Sequence, residues 1–212
     1  DLHSFPTRRS SDLPTAYSIY LCAGILTWGV FAEIVSRGQN VFIENANLIK
    51  KLNFPRLCLP VIIIGTALIN FLIIFSLFVG FLLISGNFPG LPFIALIPLL
   101  GILVLFAIGL GITLGVLNVF FRDVGQFFTI FLTFWFWLTP IVYPMSTLTE
   151  NVRGMLMFNP MTPLVSGFQT VLVDRMWPQW ESLWAPYLLA LILCVLGMTL
   201  FRKHVGEMVD EL

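Results

Sequence analysis

Long, nearly uncharged apolar stretches are the feature that most constrains how this chain can fold. A helix needs about 20 apolar residues to cross the hydrocarbon core of a bilayer. Five stretches are long enough: Ala16–Val35, Pro60–Ser85, Phe93–Phe120, Gln126–Tyr143 and Leu183–Phe201. Only 10% of the residues are charged, against about 25% in soluble domains. The sequence therefore predicts an integral membrane protein.

Backbone hydrogen bonding decides which secondary structure these stretches adopt. Lipid offers no partner for an amide or carbonyl group, so only helices and closed barrels cross a bilayer. Barrel strands alternate between apolar and polar residues, and these stretches do not alternate. We therefore expect an all-α protein with about five transmembrane helices.

The distribution of lysine and arginine predicts the orientation. Positive charges are concentrated in the connection after the first stretch, in the connection after the third, and beyond the fifth: Arg37, Lys50, Lys51 and Arg56; Arg122; Arg202 and Lys203. Excess Lys and Arg mark the cytoplasmic side. We therefore expect a cytoplasmic C-terminus and an external segment over Pro144–Ser182.

The first thirteen residues, Asp1–Leu13, differ in character from the rest. They are polar, rich in Ser and Arg, and lack the apolar core of a signal peptide. They resemble the adapter-like peptides translated at the ends of reading frames from assembled sequence data; an ordinary polar tail is the alternative. With five spans and a cytoplasmic C-terminus, residue 14 would lie outside the cell. A cytoplasmic amino terminus would require one more span before it. We therefore expect residues 14–212 to be a six-span domain without its first span.

Two predicted cytoplasmic connections carry candidate contact residues. A short helix predicted over Gln39–Lys51 carries Phe42, Asn45, Leu48 and Ile49 near one face and ends in Lys50 and Lys51. Such a helix either lies on the bilayer surface or docks into a groove of a partner protein. The second connection is a tight turn with Arg122 and Asp123, which is either a contact site or an anchored ion pair.

Several function classes are disfavoured by what the sequence lacks. The formal net charge is zero, so no basic field favours nucleic acid. The phosphate-binding pattern G-x-x-x-x-G-K-[ST] is absent, and we identify no catalytic or metal-binding cluster. Ion-coupled carriers usually place a carboxylate in mid-membrane, whereas Glu33 lies near the predicted cytoplasmic end of the first span. We therefore expect no cofactor in this chain and a partner that supplies ATP and Mg²⁺.

Four segments, in order, carry a family resemblance. They are NLIKKLNFPRLCLP (Asn47–Pro60), LGVLNVFFRDVGQF (Leu114–Phe127), WFWLTPIVYPMSTL (Trp135–Leu148) and FNPMTPLVSGFQTVL (Phe158–Leu172). They resemble the permeases of type-2 ABC exporters, in particular the branch that exports lipid-linked polysaccharide such as O-antigen, capsule or teichoic acid. Two places depart from the family pattern: Thr139-Pro140 replaces the usual Ser-Pro, and Phe168-Gln169 replaces a common aromatic–Arg pair.

The resemblance implies a multi-pass permease of the bacterial inner membrane rather than an enzyme. Two permease chains would form a homodimer, and two ATP-binding subunits would dock on its cytoplasmic side. Gln39–Lys51 would be the coupling helix, with Arg122 and Asp123 as a second contact. Short re-entrant helices would form the outer mouth, where the family motifs place Thr139, Pro140, Tyr143, Asn159 and Pro160.

Aromatic residues are concentrated in the fourth stretch, and small residues in the third. The aromatic set either faces lipid or provides a stacking surface for sugar rings: Phe127, Phe128, Phe131, Phe134, Trp135 and Trp137. Ala107, Gly111 and Gly115 follow each other at four-residue spacing, which lets helices approach closely. They pack either within one subunit or at the dimer interface.

Other functions remain open at this point. An ABC permease for drugs or small lipids has the same topology. A polyprenyl-dependent membrane glycosyltransferase predicts a cluster of acidic or histidine residues at one membrane face, which we do not find. A structural membrane scaffold is a further alternative.

Overall fold

The structure is a computed structural model that describes residues 12–47 and 58–211. These residues form seven α-helices and no strand: α1 (Asp12–Glu44), α2 (Cys58–Ile84), α3 (Leu96–Phe120), α4 (Asp123–Trp137), α5 (Glu150–Met157), α6 (Met161–Gln169) and α7 (Trp184–Glu211). Short 3-10 turns precede α3 and α7, and a single π turn continues α6.

Four helical segments of the described chain are long and apolar enough to cross a membrane: Thr15–Glu44, Leu59–Ile84, Leu91–Phe120 and Trp180–Met208. They contain the first, second, third and fifth predicted spans almost completely. For the second and third spans, the predicted bounds agree with those of the structure to within a few residues. The prediction of an all-α integral membrane protein is confirmed.

The fourth predicted span is shorter than expected as a helix. Helix α4 has 15 residues, about 22 Å at 1.5 Å per residue, and ends at Trp137 because Pro140 disfavours a helical conformation at Thr139. The turn that follows continues beside α1 as far as Tyr17, whose hydroxyl donates to the carbonyl of Val142. Helix and turn together run alongside α1 from Gln39 to Tyr17, a length of about 33 Å.

Helix α3 is the centre of the bundle, because glycines let two neighbours approach it closely. A Cβ placed on Gly115 would lie 2.6 Å from the carbonyl oxygen of Gly38 in α1. On the side facing α7, a Cβ placed on Gly109 would lie 2.7 Å from the amide nitrogen of Cys194. The small residues of α3 therefore pack within one subunit, the first of the two alternatives predicted for them.

The prediction of a separate helix beginning at Gln39 is wrong. Residues 39–44 continue α1 without a break, and the apolar face that begins with Ile34 and Val35 extends through Val41 and Phe42. Phe42 is 1% exposed, and its ring stacks on Phe201 of α7. The amphipathic pattern of residues 39–44 therefore reflects packing inside the bundle, and Phe42 is not available as a surface anchor.

The long helices define two ends of the bundle. The end of α1 meets the starts of α2 and α4 and the last turns of α3 and α7; we call this the Gln39 side. The start of α1 meets the segment between α4 and α7; we call this the Tyr17 side. On the Tyr17 side α5 is largely exposed, whereas α6 packs against α1 and α3. The two short helices are separated at Asn159-Pro160.

Candidate functional site

A buried amide joins three helices on the Gln39 side. Asn118, in the last turn of α3, is 3% exposed. Its Nδ2 donates to the backbone carbonyl of Gln39 at 2.9 Å and lies 3.2 Å from Oδ1 of Asn40. Its Oδ1 accepts from the backbone N–H of Gly125 in the first turn of α4 at 2.9 Å. One side chain thus connects α1, α3 and α4.

A second link lies one helical turn further along α4. Nε2 of Gln39 donates to the hydroxyl of Thr129 at 3.0 Å, and that hydroxyl donates to the carbonyl of Gly125 at 2.9 Å. Gln39 is 2% exposed, whereas Thr129 is exposed. The start of α4 is therefore held against α1 at two successive levels.

The predicted coupling residues divide into three groups. Arg122 and Asp123 are exposed beside this network. Phe42 is buried, and Asn45 is half-buried, with Nδ2 donating to the carbonyl of Val41. The remaining predicted residues, Leu48, Ile49, Lys50 and Lys51, lie outside the described residues. The described surface at the end of α1 instead presents Ile43, Glu44 and Asn47.

The predicted outer motif is brought together on the Tyr17 side by Asn159. Its Oδ1 accepts from the indole N–H of Trp135 at 2.8 Å and from the backbone N–H of Met161 at 3.0 Å. Its Nδ2 lies 3.0 Å from the hydroxyl of Thr139 and 3.3 Å from the carbonyl of Leu138. Asn159 therefore fixes the end of α4 to the start of α6.

Two tyrosines of α1 hold the turn after α4. The Tyr20 hydroxyl lies 3.1 Å from the carbonyl oxygens of both Pro140 and Tyr143, and Tyr17 holds Val142 as described above. Nε2 of Gln169 in α6 also approaches the Pro140 carbonyl, at 3.3 Å. The turn is therefore fastened to both α1 and α6, while Pro160, the last residue of the predicted motif, is half-buried at the start of α6.

The aromatic residues of α4 fall into two sets. Phe128, Phe131 and Trp135 form a row of ring contacts with centroids 5.2 and 5.4 Å apart. Trp135 also meets Trp28 and Phe31 of α1 edge to face, so it belongs to the packing of the bundle. The second set is open to the surroundings of this chain: Phe127, Phe134 and Trp137 are 69%, 65% and 61% exposed.

An open groove of about 350 Å³ runs between α1 and α4. We call it the α1–α4 groove; its lining combines aromatic, small apolar and hydroxyl side chains: Trp28, Ala32, Ser36, Thr129, Leu132, Thr133 and Phe136. Aromatic faces and hydroxyl groups together suit a ligand that presents both C–H faces and hydroxyl groups, as sugars do. With three hydroxyl side chains, the lining of the groove is therefore more polar than a surface that contacts only lipid.

A charged cluster lies beside this groove on α1. Arg37 Nη2 lies 2.9 Å from Oε1 of Glu33, and Nδ2 of Asn70 in α2 donates to the same oxygen at 2.8 Å. Glu33 is not at the end of the helix, because α1 continues for eleven residues to Glu44. Asn70 lies eleven residues into the apolar segment that begins at Leu59. Ionisable groups within a membrane usually mark a polar path or a contact with other protein.

Of the residues that make these connections, the sequence analysis named Thr139 and Asn159 but not Asn118, Tyr17 or Tyr20. Asn118 lies within the quoted segment Leu114–Phe127, and an amide in the last turn of an otherwise apolar helix was the available signal. Tyr17 and Tyr20 gave no local signal, because their partners lie more than 100 residues away. Gln169 was noted only as a departure from the family pattern, without a partner.

Comparison with known proteins identifies the family. A family model of ABC-2 type transporters matches residues 4–173. An O-antigen export system permease protein RfbA of Klebsiella pneumoniae is 30% identical over 188 residues, covering 88% of this chain and 72% of that protein. A protein of the same name from Myxococcus xanthus is 28% identical over 199 residues, covering 92% and 76%. With a family match over most of its length, this chain belongs to the ABC-2 type transporter family.

Proposed function

We propose that this chain is the permease subunit of an ABC exporter that moves a lipid-linked O-antigen-type polysaccharide across the bacterial inner membrane. Two permease chains and two ATP-binding subunits form the complete transporter. Similarity to relatives named O-antigen export permeases over more than two thirds of their length is the observation that carries this proposal. Capsule and teichoic acid glycans are chemically related substrates.

The two sides of the bundle support one orientation. Among the described residues, the Gln39 side carries four basic residues, Arg37, Arg122, Arg202 and Lys203, against two on the Tyr17 side, Arg153 and Arg175. Excess positive charge favours the cytoplasm. We therefore assign the Gln39 side and the C-terminus to the cytoplasm, and α5 and α6 to the outer face.

The ATP-binding subunit then docks on the Gln39 side. The described surface there combines apolar and charged groups close to each other: Ile43, Glu44, Phe121, Arg122 and Asp123 are all exposed. Phe121 is 65% exposed at the tip of the turn between α3 and α4. An exposed aromatic beside charged groups is typical of a protein contact.

The α1–α4 groove and the exposed aromatics of α4 provide the glycan path. Sugar rings place C–H faces on aromatic planes, and their hydroxyl groups bond to side chains such as Ser36 and Thr133. Such contacts tolerate sliding, because no single sugar must be recognised at a fixed register. Glu33, Arg37 and Asn70 provide a further polar patch at the level of Ala32 and Ser36, on the side of α1 that meets α2.

The export function is tested in a strain that lacks its own O-antigen permease. The full-length permease and its ATP-binding subunit are expressed together, and surface glycan is measured with a specific antibody. We expect surface glycan to return, and to be lost again when the P-loop lysine of the ATP-binding subunit is replaced. Accumulation of lipid-linked glycan inside cells that contain both intact subunits would contradict the proposal.

The docking surface is tested separately by co-purification of the two subunits. Phe121→Asp places a charge on the proposed contact at a side chain that is 65% exposed, and we expect recovery of the ATP-binding subunit to fall about tenfold. Phe158→Asp is the matched control, because Phe158 is 92% exposed on the opposite side. Equal recovery with both variants would argue against this surface.

A further inference from the structure

We propose that Asn118 is a positioning residue that fastens the Arg122-Asp123 turn to α1, so that both elements facing the ATP-binding subunit move as one unit. The coupling role rests on the proposed function. The mechanical link itself depends only on the geometry of α1, α3 and α4.

The first reason is that Asn118 supplies what the start of α4 lacks. The first amides of a helix have no acceptor within the helix, and Arg122, which precedes α4, makes no side-chain capping bond. Asn118 Oδ1 accepts from Gly125, the third residue of α4. The same amide group holds the Gln39 carbonyl of α1 through Nδ2. A single buried side chain thus caps one helix and attaches it to another.

The second reason is the glycine at position 125. A Cβ placed there would lie 2.7 Å from both Oδ1 and Nδ2 of Asn118, a distance that forces one group to move. Glycine within a helix is less favourable than alanine by about 1 kcal/mol. Close approach of the Asn118 amide accounts for glycine at this position.

The consequence is that a movement at the docking surface reaches the α1–α4 groove. Asn118 and the Gln39–Thr129 bond hold α4 to α1 at two levels, which restrains both the separation and the rotation of the two helices. The groove is lined by these same two helices, with Thr129 a member of both the link and the lining. A displacement of the Arg122-Asp123 turn therefore changes the position of groove residues.

Two variants break the link in different ways. Asn118→Leu keeps the branched shape of the side chain but removes its hydrogen bonds to Gln39, Asn40 and Gly125. Gly125→Ala keeps Asn118 but displaces its amide, although alanine by itself favours the helix. Gly154→Ala in α5 is the matched control, because a Cβ at Gly154 meets nothing within 4 Å.

The link is measured first in the full-length permease without its partner. Nitroxide labels at the exposed positions Glu44 and Gln126, in a background without native cysteines, report the distance between the end of α1 and the start of α4 by pulsed EPR. We expect a narrow distance distribution in the parent and in Gly154→Ala, and a broad or shifted one in Asn118→Leu and Gly125→Ala. Unchanged distributions in both variants would overturn the proposal, whatever the outcome of transport assays.

Coupling is measured next in the assembled transporter. We expect both variants to retain the ATP-binding subunit and its ATP hydrolysis, while glycan exported per ATP hydrolysed falls about fivefold or more. A merely structural role would lower the amount of assembled transporter and leave this ratio unchanged, which would overturn the coupling role. If Asn118→Leu fails to insert, Gly125→Ala decides the matter alone. If the parent complex exports no glycan, the proposed function fails, while the distance measurement still tests the link.

Discussion

Helices α3 and α4 are consecutive in the chain but are held in place by different means. Helix α3 touches α1 and α7 through Gly109, Gly111 and Gly115, so backbones lie against each other where side chains normally intervene. Helix α4 is held mainly at its two ends by hydrogen bonds, to Asn118 at its start and to Asn159 and the tyrosines of α1 beyond its end. One face of α4 exposes large aromatic side chains.

The difference indicates which helix is the frame and which can move. Close backbone packing tolerates little displacement, because any sliding produces overlap. Hydrogen bonds instead hold α4 at separate points, namely its start, Thr129 and the turn beyond its end, while Phe127, Phe134 and Trp137 stay exposed. We therefore interpret α1, α3 and α7 as a rigid frame to which the start of α4 is fastened, and the exposed part of α4 as the region that adjusts when the partner moves this frame.

The largest effect is expected from filling the contact between α3 and α1. In Gly115→Ala the new Cβ would lie 2.6 Å from the Gly38 carbonyl oxygen and 3.2 Å from the Phe42 ring. Overpacking of this kind costs about 1–3 kcal/mol. The unfolding free energy in mixed micelles measures it, with Gly101→Ala as the control on the same helix, because a Cβ at Gly101 meets nothing within 4 Å. Equal stability of the two variants would refute the idea of a rigid frame.

A smaller effect is expected at the outer end of α4. Asn159→Ala removes the acceptor of the Trp135 indole and of the Met161 amide, and it releases Thr139. Loss of partners for half-buried polar groups costs about 1–2 kcal/mol. We expect faster hydrogen exchange in the turn after α4 and unchanged exchange in α3. Equal acceleration in both would mean that the two helices do not differ as described.

The smallest effect on stability is expected on the exposed face of α4. Phe134→Ala should change the unfolding free energy by no more than about 0.5 kcal/mol, as is usual at exposed positions. If the face carries sugar, glycan export should nevertheless slow. Ile74→Ala on the exposed face of α2 is the control, with Ile74 54% and Phe134 65% exposed. Normal export by Phe134→Ala would remove this residue from the proposed path.

The sequence predicted the apolar helices well where clear signals mark their ends. Pro60 stands near the start of α2, and the charged Arg122-Asp123 turn follows α3, so both helices were placed to within a few residues. The end of α1 was misjudged, because an apolar face with Val41 and Phe42 has the same local pattern whether it packs on α3 and α7 or on a bilayer. Only tertiary contacts distinguish the two.

The connections at the candidate sites were beyond local prediction. Asn118 and Gln39 are 79 positions apart, and Tyr17 and Val142 are 125 apart. Single polar residues in apolar helices show that a partner is needed, but not which residue supplies it. The predicted outer motif fared better, because Thr139 and Asn159 belong to segments with a family resemblance, and the structure brings them within 3.0 Å.

Water accessibility of the α1–α4 groove during export tests the central claim most directly. Thr133→Cys is introduced into the assembled transporter without native cysteines and is labelled with a membrane-impermeant thiol reagent. Ile74→Cys on the exposed apolar face of α2 serves as the control. We predict that Thr133→Cys reacts faster than Ile74→Cys, and that glycan stalled in the transporter slows its labelling. Equal, slow labelling at both positions, with or without stalled glycan, would contradict a glycan path between α1 and α4.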